Sequence, residues 1–274
     1  MSDDRYWRSG VSEIADGSVF IRGYRLDDLI GASFTSTTYL LIRGELPTPE
    51  QTRVLDAVLT AVLDYALEKP GTTAARFVVS SNPNMQAGLA TAVLAAGDYS
   101  LSPEATARFA LKLHDEFIAS GSADKAAFAQ AAVERMRQRK ERIPGLGHPV
   151  FKKVDPRAQA LRKIAVDAGM WTETADLYEA VHVAFAALPG KAEIPINDVG
   201  MIALLCVNLG FTPEESTALA VLGTLPGVVA HISEELSSGR PIRVVPNKDV
   251  EYDVPRRAAP TSVLSCASDD STRG

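Results

Sequence analysis

His148 is one of four histidines in 274 residues, and it stands in "PGLGHPVFKKVDPR", between Gly147 and Pro149. Gly145 and Gly147 permit backbone approaches that a side chain would block, while Pro144 and Pro149 stiffen the flanks. An imidazole fixed on such a bend titrates near neutrality and suits hydrogen-bond exchange with a substrate oxygen. Arg157 opens the helix that follows, where its planar fork can take a carboxylate. Farther on, in "EIPINDVGMIALL", Asp198 stands at the mouth of an apolar helix. In a water-poor pocket its pKa would rise toward that of a useful base. Both stretches also have a plainer reading: a structural loop with Asp155 as a helix cap, and Asp198 as a cap of its own helix.

Other chemistry is harder to place. His114, His148, His182 and His231 lack metal-ligand spacing, and no metal is expected. His231 and Glu235 fall at i, i+4, but a packed or surface pair is the simpler account. "GLGHPV" lacks the third glycine of a dinucleotide fingerprint and follows no strand; there is no phosphate-loop lysine motif and no Gly-x-Ser-x-Gly elbow. A basic island runs from Arg135 to Lys163, with ten basic residues against Glu141 and Asp155. It reads either as a solvated helix face or as an anion site for a phosphorylated small molecule. Against a net charge of −6, it does not argue for nucleic acid or a membrane surface. Two isolated cysteines, Cys206 and Cys266, build no disulfide framework, so a reducing, cytoplasmic setting is expected. The opening "MSDDRYWRSG" lacks a basic-then-apolar pattern, so no signal sequence is expected, and no apolar run is expected to reach the ~18–20 residues of a membrane span.

Helical periodicity dominates the elements that must carry these residues. Capping boxes open helices at Thr48–Gln51 and Thr212–Glu215, the first predicted over 48–67 and the second over 212–236. Further helices are expected at 84–97, 104–119, 124–140, 158–169, 173–188 and 198–210, the last nearly all apolar and therefore buried or interfacial. Strand patterning is confined to "SVFIRGY" and "PIRVV". The fold is all-α. At this length, one large unit with a smaller lobe is expected: residues 1–140 as large-domain helices, 141–222 as loop and small-domain helices, 223–254 returning to the large domain. Residues 255–274 have the composition of a disordered tail.

Together, "DGSVFIRGYRLDDLIGASFTSTTYLLIRGELPTPEQ", "PGLGHPVFKKVDPRA", "IPINDVGMIALLCVNLGF" and "GTLPGVVAHISEEL" resemble segments of the citrate synthase superfamily, which also contains citryl-CoA lyases. The resemblance implies a citrate synthase-like helical fold whose large domain is truncated, and a homodimer. It implies an enzyme that makes or breaks a C–C bond beside a CoA thioester. His148 would take the hydroxyl proton of a citryl-type substrate, Arg157 and Arg243 would bind carboxylates (Arg243 in a neighbouring subunit's site), and Asp198 would move the α-proton. Ile143, Pro144, Gly145, Leu146, Gly147, Lys152 and Lys153 would line the CoA site. Coenzyme A thioester and a 2-oxo acid are then substrate or product, with no tightly bound cofactor. Departures from the pattern are equally plain. Pro103 stands where synthases carry a histidine that stabilises the enol, Ala66 where a second histidine helps bind the acid, and Thr224 where a further arginine does so. Losing one enolate-stabilising donor typically costs about 10²–10³ in rate. The compact length resembles a citryl-CoA lyase, and the lean is toward cleavage.

Overall fold

The computed structural model describes residues 6–97 and 99–257. The tail from residue 258, including Cys266, lies outside them. A small three-stranded antiparallel sheet opens the chain: β1 (Ser12–Ala15), β2 (Ser18–Ile21) and β3 (Tyr24–Arg25). Asp16-Gly17 and Arg22-Gly23, all at positive φ, form the two tight turns. Two such residues in succession give the turn whose twist matches a hairpin. "SVFIRGY" is therefore strand, turn and strand. "PIRVV" is not a strand; Ile242 instead donates its N–H to Ser80 O (2.7 Å).

Eleven helices follow among the described residues, joined by loops and two short 3-10 turns: α1 (Leu26–Leu29), α2 (Phe34–Arg43), α3 (Pro49–Ala61), α4 (Pro70–Ser81), α5 (Met85–Leu94), α6 (Glu104–Ser120), α7 (Lys125–Gln138), α8 (Pro156–Asp167), α9 (Glu173–Ala186), α10 (Asp198–Asn208) and α11 (Pro213–Ser238). Both capping boxes form, at Thr48 and Thr212. Three helices were not foreseen, the first of them α1, whose four residues are too few to show a period. In α2 the β-branched run "TSTT" masks the periodicity, and the helix is set by the Ser33 cap and Gly44 in the left-handed region. In α4 the opening "PGTT" carries weak helix formers. The expected helix 48–67 stops early, at Ala61, and a 3-10 turn at Ala66–Glu68 with Ala66 at φ 51° takes the chain elsewhere. That break has consequences for the site.

The main core gathers α2, α3, α6, α7, α8, α9, α10 and the first half of α11 around residues such as Leu55, Leu177, Tyr178, Ile202, Leu204 and Leu205, all fully buried. Each such side chain contributes about 1.5–3 kcal/mol by leaving water. A second cluster joins α4 and α5 to the far half of α11 through Ala75, Val79, Ala92, Val228 and Ile232. The packing does not divide at residue 140, since α6 and α7 share a core with α8–α10. α11, 26 residues long, is apolar enough by composition to cross a bilayer, so such a stretch does exist. Here it is the spine of the bundle, with Glu214 and Glu215 in its first turn and a buried, ion-paired Glu235 near its end.

Candidate active site

The loop 143–148 and the segment 194–198 are bound edge to edge. Gly147 N–H donates to Pro195 O (2.7 Å) and Asn197 N–H to Gly145 O (3.0 Å), while the Asn197 side chain donates to Gly147 O (2.7 Å). Asn197 also caps α10, accepting from Gly200 N–H (2.7 Å). Beneath them Gly145 and Gly200 touch backbone to backbone. A Cβ on Gly200 would lie 2.5 Å from Gly145 O, and one on Gly145 would lie 2.6 Å from the Tyr178 hydroxyl. That hydroxyl donates to Pro144 O (2.5 Å). By these contacts two segments fifty residues apart in sequence set His148 next to Asp198.

Arg157 ties the two together. Its Nη1 is 2.7 Å from Asp198 Oδ2, and its Nη2 is 3.1 Å from His148 Nε2. The remaining edge belongs to Asp155: Arg157 Nε donates to Oδ1 (3.2 Å) and Nη2 to Oδ2 (2.9 Å). Asp155 is 1% exposed and also accepts the backbone N–H groups of Arg157 (3.0 Å) and Asp198 (3.1 Å). It is a helix cap, as foreseen, and beyond that the buried anion that aims the guanidinium. Burial works to raise its pKa, but the Arg157 hydrogen bonds and charge outweigh it and hold the carboxyl below the usual range. Asp198 goes the opposite way. Burial lifts its pKa, the Arg157 charge pulls it back, and Asp155 adds to the rise.

The histidine ring is fixed as well. Val150 and Phe151 N–H groups both donate to His148 Nδ1 (3.1 Å each), so the hydrogen of the neutral ring sits on Nε2. Nε2–H then confronts the Arg157 Nη2 hydrogen that Asp155 does not take, and among the described residues neither hydrogen has an acceptor. A substrate oxygen accepting from both would satisfy them. In this tautomer the ring presents a donor at Nε2, where the sequence reading has it take a hydroxyl proton. Tyr65 packs edge-on to His148 (5.9 Å between centroids) and lies face-on to Arg157 (5.1 Å), which Phe151 also faces. In the "DYALEKP" stretch it is therefore Tyr65, rather than Ala66, that looks into the site; this follows from the early end of α3. His148, Asp155 and Asp198 could in principle ligate a metal, their ligand atoms lying within 4.8 Å of one another, but the guanidinium is seated among them.

A pocket of about 360 Å³ opens over this group, walled by Tyr65, Lys69, His148, Arg157, Asn197 and Asp198. Beside it lies a larger groove of about 810 Å³, with Ile143, Leu146, Phe185 and Ile194 as apolar lining and Arg137, Lys140, Arg142, Lys152 and Lys191 among its walls. Gly147 borders both. Of the residues expected at a CoA site, Ile143, Leu146, Gly147 and Lys152 line the groove, while Pro144 and Gly145 lie behind it. Lys153 turns away to Glu193 (3.1 Å). Arg243 is clamped on Glu235 (2.6 Å), outside both cavities. His114 faces Glu173 (3.7 Å), and His231 pairs with Asp64 (3.2 Å) rather than Glu235. Lys69, Tyr65 and Lys191 carried no sequence signal beyond their residue types.

Comparison with known proteins fits this geometry. The family model for citrate synthase, C-terminal domain, matches residues 47–245. The chain belongs to the citrate synthase family. Among its relatives, the glyoxysomal citrate synthase of Cucurbita maxima is 29% identical over 71% of the chain and 37% of that protein. The citrate synthase of Saccharolobus solfataricus is 29% identical over 74% and 52%. The chain thus spans about half the length, or less, of these curated relatives. Among solved structures, the citryl-CoA lyase of Hydrogenobacter thermophilus superposes with a TM-score of 0.85 at 32% identity, covering 95% of this chain and 100% of that one. The ATP citrate lyase of Methanothrix soehngenii gives 0.79 at 20% identity over 93% and 43%, a likeness of fold.

Proposed function

We propose that the protein makes or breaks a C–C bond next to a CoA thioester, working chiefly as a citryl-CoA lyase that releases acetyl-CoA and oxaloacetate or a related 2-oxo acid. The observation that carries this reading is the junction at Gly147. An acid-sized pocket and a cation-rimmed groove long enough for a CoA chain meet there, beside His148, Arg157 and Asp198. Full-length coverage of a citryl-CoA lyase, against about half of each synthase, supports the cleavage direction.

In cleavage, the substrate's hydroxyl oxygen carries negative charge once its proton leaves, and that charge passes to the acetyl enolate as the C–C bond breaks. His148 Nε2–H and Arg157 Nη2–H both point where that oxygen would sit, and preorganised donors of this kind act without reorganisation cost. Asp198, its pKa raised by burial, holds a proton more readily than an exposed aspartate and returns it to the acetyl enolate carbon. The hydroxyl proton passes to solvent in the open pocket while the Asp198 proton reaches carbon, and Asp198 is then reprotonated from solvent, so the reaction is proton-neutral over the cycle. The groove cations take the CoA phosphates, Lys152 from the loop itself. Arg243 would have to leave Glu235 to reach the pocket of a second copy in a homodimer.

The test is to incubate the pure protein with citryl-CoA, and separately with acetyl-CoA plus oxaloacetate, while following free thiol and keto acid. Thiol-neutral release of keto acid from citryl-CoA, abolished by His148→Ala and Asp198→Asn, is the expected result. CoA binding with no turnover on a panel of 2-oxo acids would refute it and leave a catalytically degraded thioester binder.

A further inference from the structure

Arg157 is already heavily committed. Its Nε–Nη2 edge is spent on Asp155, and its Nη1 on Asp198. It can meet an incoming acid with only part of its fork, so a second carboxylate entering the same pocket needs another cation. Lys69 is placed to be that cation. It stands where the 3-10 turn runs into α4 and lines the acid pocket together with His148, Arg157 and Asp198. Its contacts are neutral: the Thr224 hydroxyl, and Val62 O at 3.5 Å. Among the described residues no carboxylate pairs with it. Asp64 and Asp198 lie close enough to act on its charge, yet each is held by another partner, His231 and Arg157 respectively. Burial, the largest influence, lowers its pKa, and the Arg157 charge lowers it further. A partly buried ammonium without a counter-charge is costly, and an arriving anion removes that cost.

A second observation points the same way. Thr72, in the first turn of α4, is 1% exposed, and its Oγ1 has no hydrogen-bond partner. It borders the small chamber directly behind Lys69, which Thr224 and Leu101 also line. A partly buried ammonium and a buried hydroxyl at one wall, each with hydrogen-bonding capacity to spare, are an unfinished site. An ammonium carries three donors, so the contacts to Thr224 and Val62 leave one to spare.

We propose that Lys69 is a substrate-contacting residue whose ammonium binds the carboxylate that Arg157 does not take, and so selects acids with two carboxylates over those with one. This rests on the acid-pocket reading of the proposed function and adds to it a residue and a selection rule. A matched pair of 2-hydroxy acids tests it by calorimetry without turnover: malate, with two carboxylates, and lactate, with one. In Lys69→Met, malate affinity falls by about 10–100-fold, the worth of one charge-assisted hydrogen bond, and lactate affinity changes less than about 3-fold. The urea midpoint of Lys69→Met stays or rises, since an uncompensated charge has been removed. Malate bound equally well by wild type and Lys69→Met overturns the proposal, as does a wild-type protein that binds no malate. A midpoint lowered in both Lys69→Met and Lys69→Gln assigns the lysine a structural role and overturns it too. Turnover of citryl-CoA by the same wild-type sample separates the two readings. Malate bound through Lys69 with no turnover sinks the lyase and leaves this inference standing. Normal turnover with malate indifferent to Lys69 does the reverse.

Discussion

Asp155 and Asp198 share one guanidinium, and their pKa values move in opposite directions. Substituting each by asparagine should therefore have opposite consequences for stability. Asp155 offers four acceptor contacts, three to Arg157 and one to the Asp198 N–H. An asparagine keeps one oxygen, so whichever way it turns, half of those contacts become donor against donor. Bonds to charged groups are each worth about 1.5–3 kcal/mol, but Arg157 keeps Asp198 as a partner and is a quarter exposed, so the net loss is about 2–4 kcal/mol. Asp198 contributes little, because the cost of burying its charge already exceeds what Arg157 returns; Asp198→Asn should lie within about 1 kcal/mol of wild type. pH sharpens the contrast. Asp155 has a lowered pKa, so its contribution is complete above the unfolded value of about 3.9 and is lost as pH falls through the folded value. The gap between wild type and Asp155→Asn should hold at pH 7 and narrow below about pH 4. Urea midpoints at fixed protein concentration, with m-values checked for constancy, measure all of this. A loss in Asp198→Asn equal to that in Asp155→Asn would refute the assignment of Asp155 as the stabilising anion of the site.

Three further outcomes follow from the geometry. Gly200→Ala should drive a Cβ into Gly145 O and part the loop from α10, abolishing turnover while far-UV circular dichroism stays unchanged, at a stability cost of about 1–3 kcal/mol; unchanged activity would show that the backbone contact does not set the site. Tyr65→Phe should match wild type in kcat/KM whereas Tyr65→Ala loses about 3–30-fold, because Arg157 and His148 use the ring and not the hydroxyl. Arg142→Glu should weaken CoA binding several-fold at low salt, and by less at about 0.5 M salt, as screening reduces the groove's field; titration calorimetry at two ionic strengths reads it.

The chain's helices were mostly legible, since capping boxes and apolar spacing are local signals that packing then reinforced. α1 is too short to show a period, and α2 and α4 were not legible because their openings are rich in β-branched and small residues whose helicity comes from tertiary burial, as with the fully buried Ala75 of α4. For the site, His148, Arg157 and Asp198 could be singled out because each follows or opens an element with an unusual local pattern. What brings them together could not be. The pairing of 145–147 with 195–197, and the face-to-face glycines beneath it, link segments whose sequence separation hides the register. Lys69 and Tyr65 were hidden for a related reason. Helical periodicity ran on past Ala61, and only the left-handed Ala66 turns that stretch back over the pocket.

The resting arrangement also bears on how the site is entered. In the ring of His148, Arg157, Asp155 and Asp198, both Asp155 oxygens and His148 Nδ1 are taken, yet His148 Nε2–H and one Arg157 hydrogen face each other at 3.1 Å. This donor-against-donor contact sits at the pocket wall rather than in the core. An oxygen with two lone pairs is what resolves it, and a water can do so as readily as a substrate. Discrimination must then come from the groups around that oxygen: the carboxylates gripped by flanking cations, and the thioester carried in from the groove across Gly147. The polar ring fixes where the reacting oxygen goes, and the two cavities decide which molecule brings it.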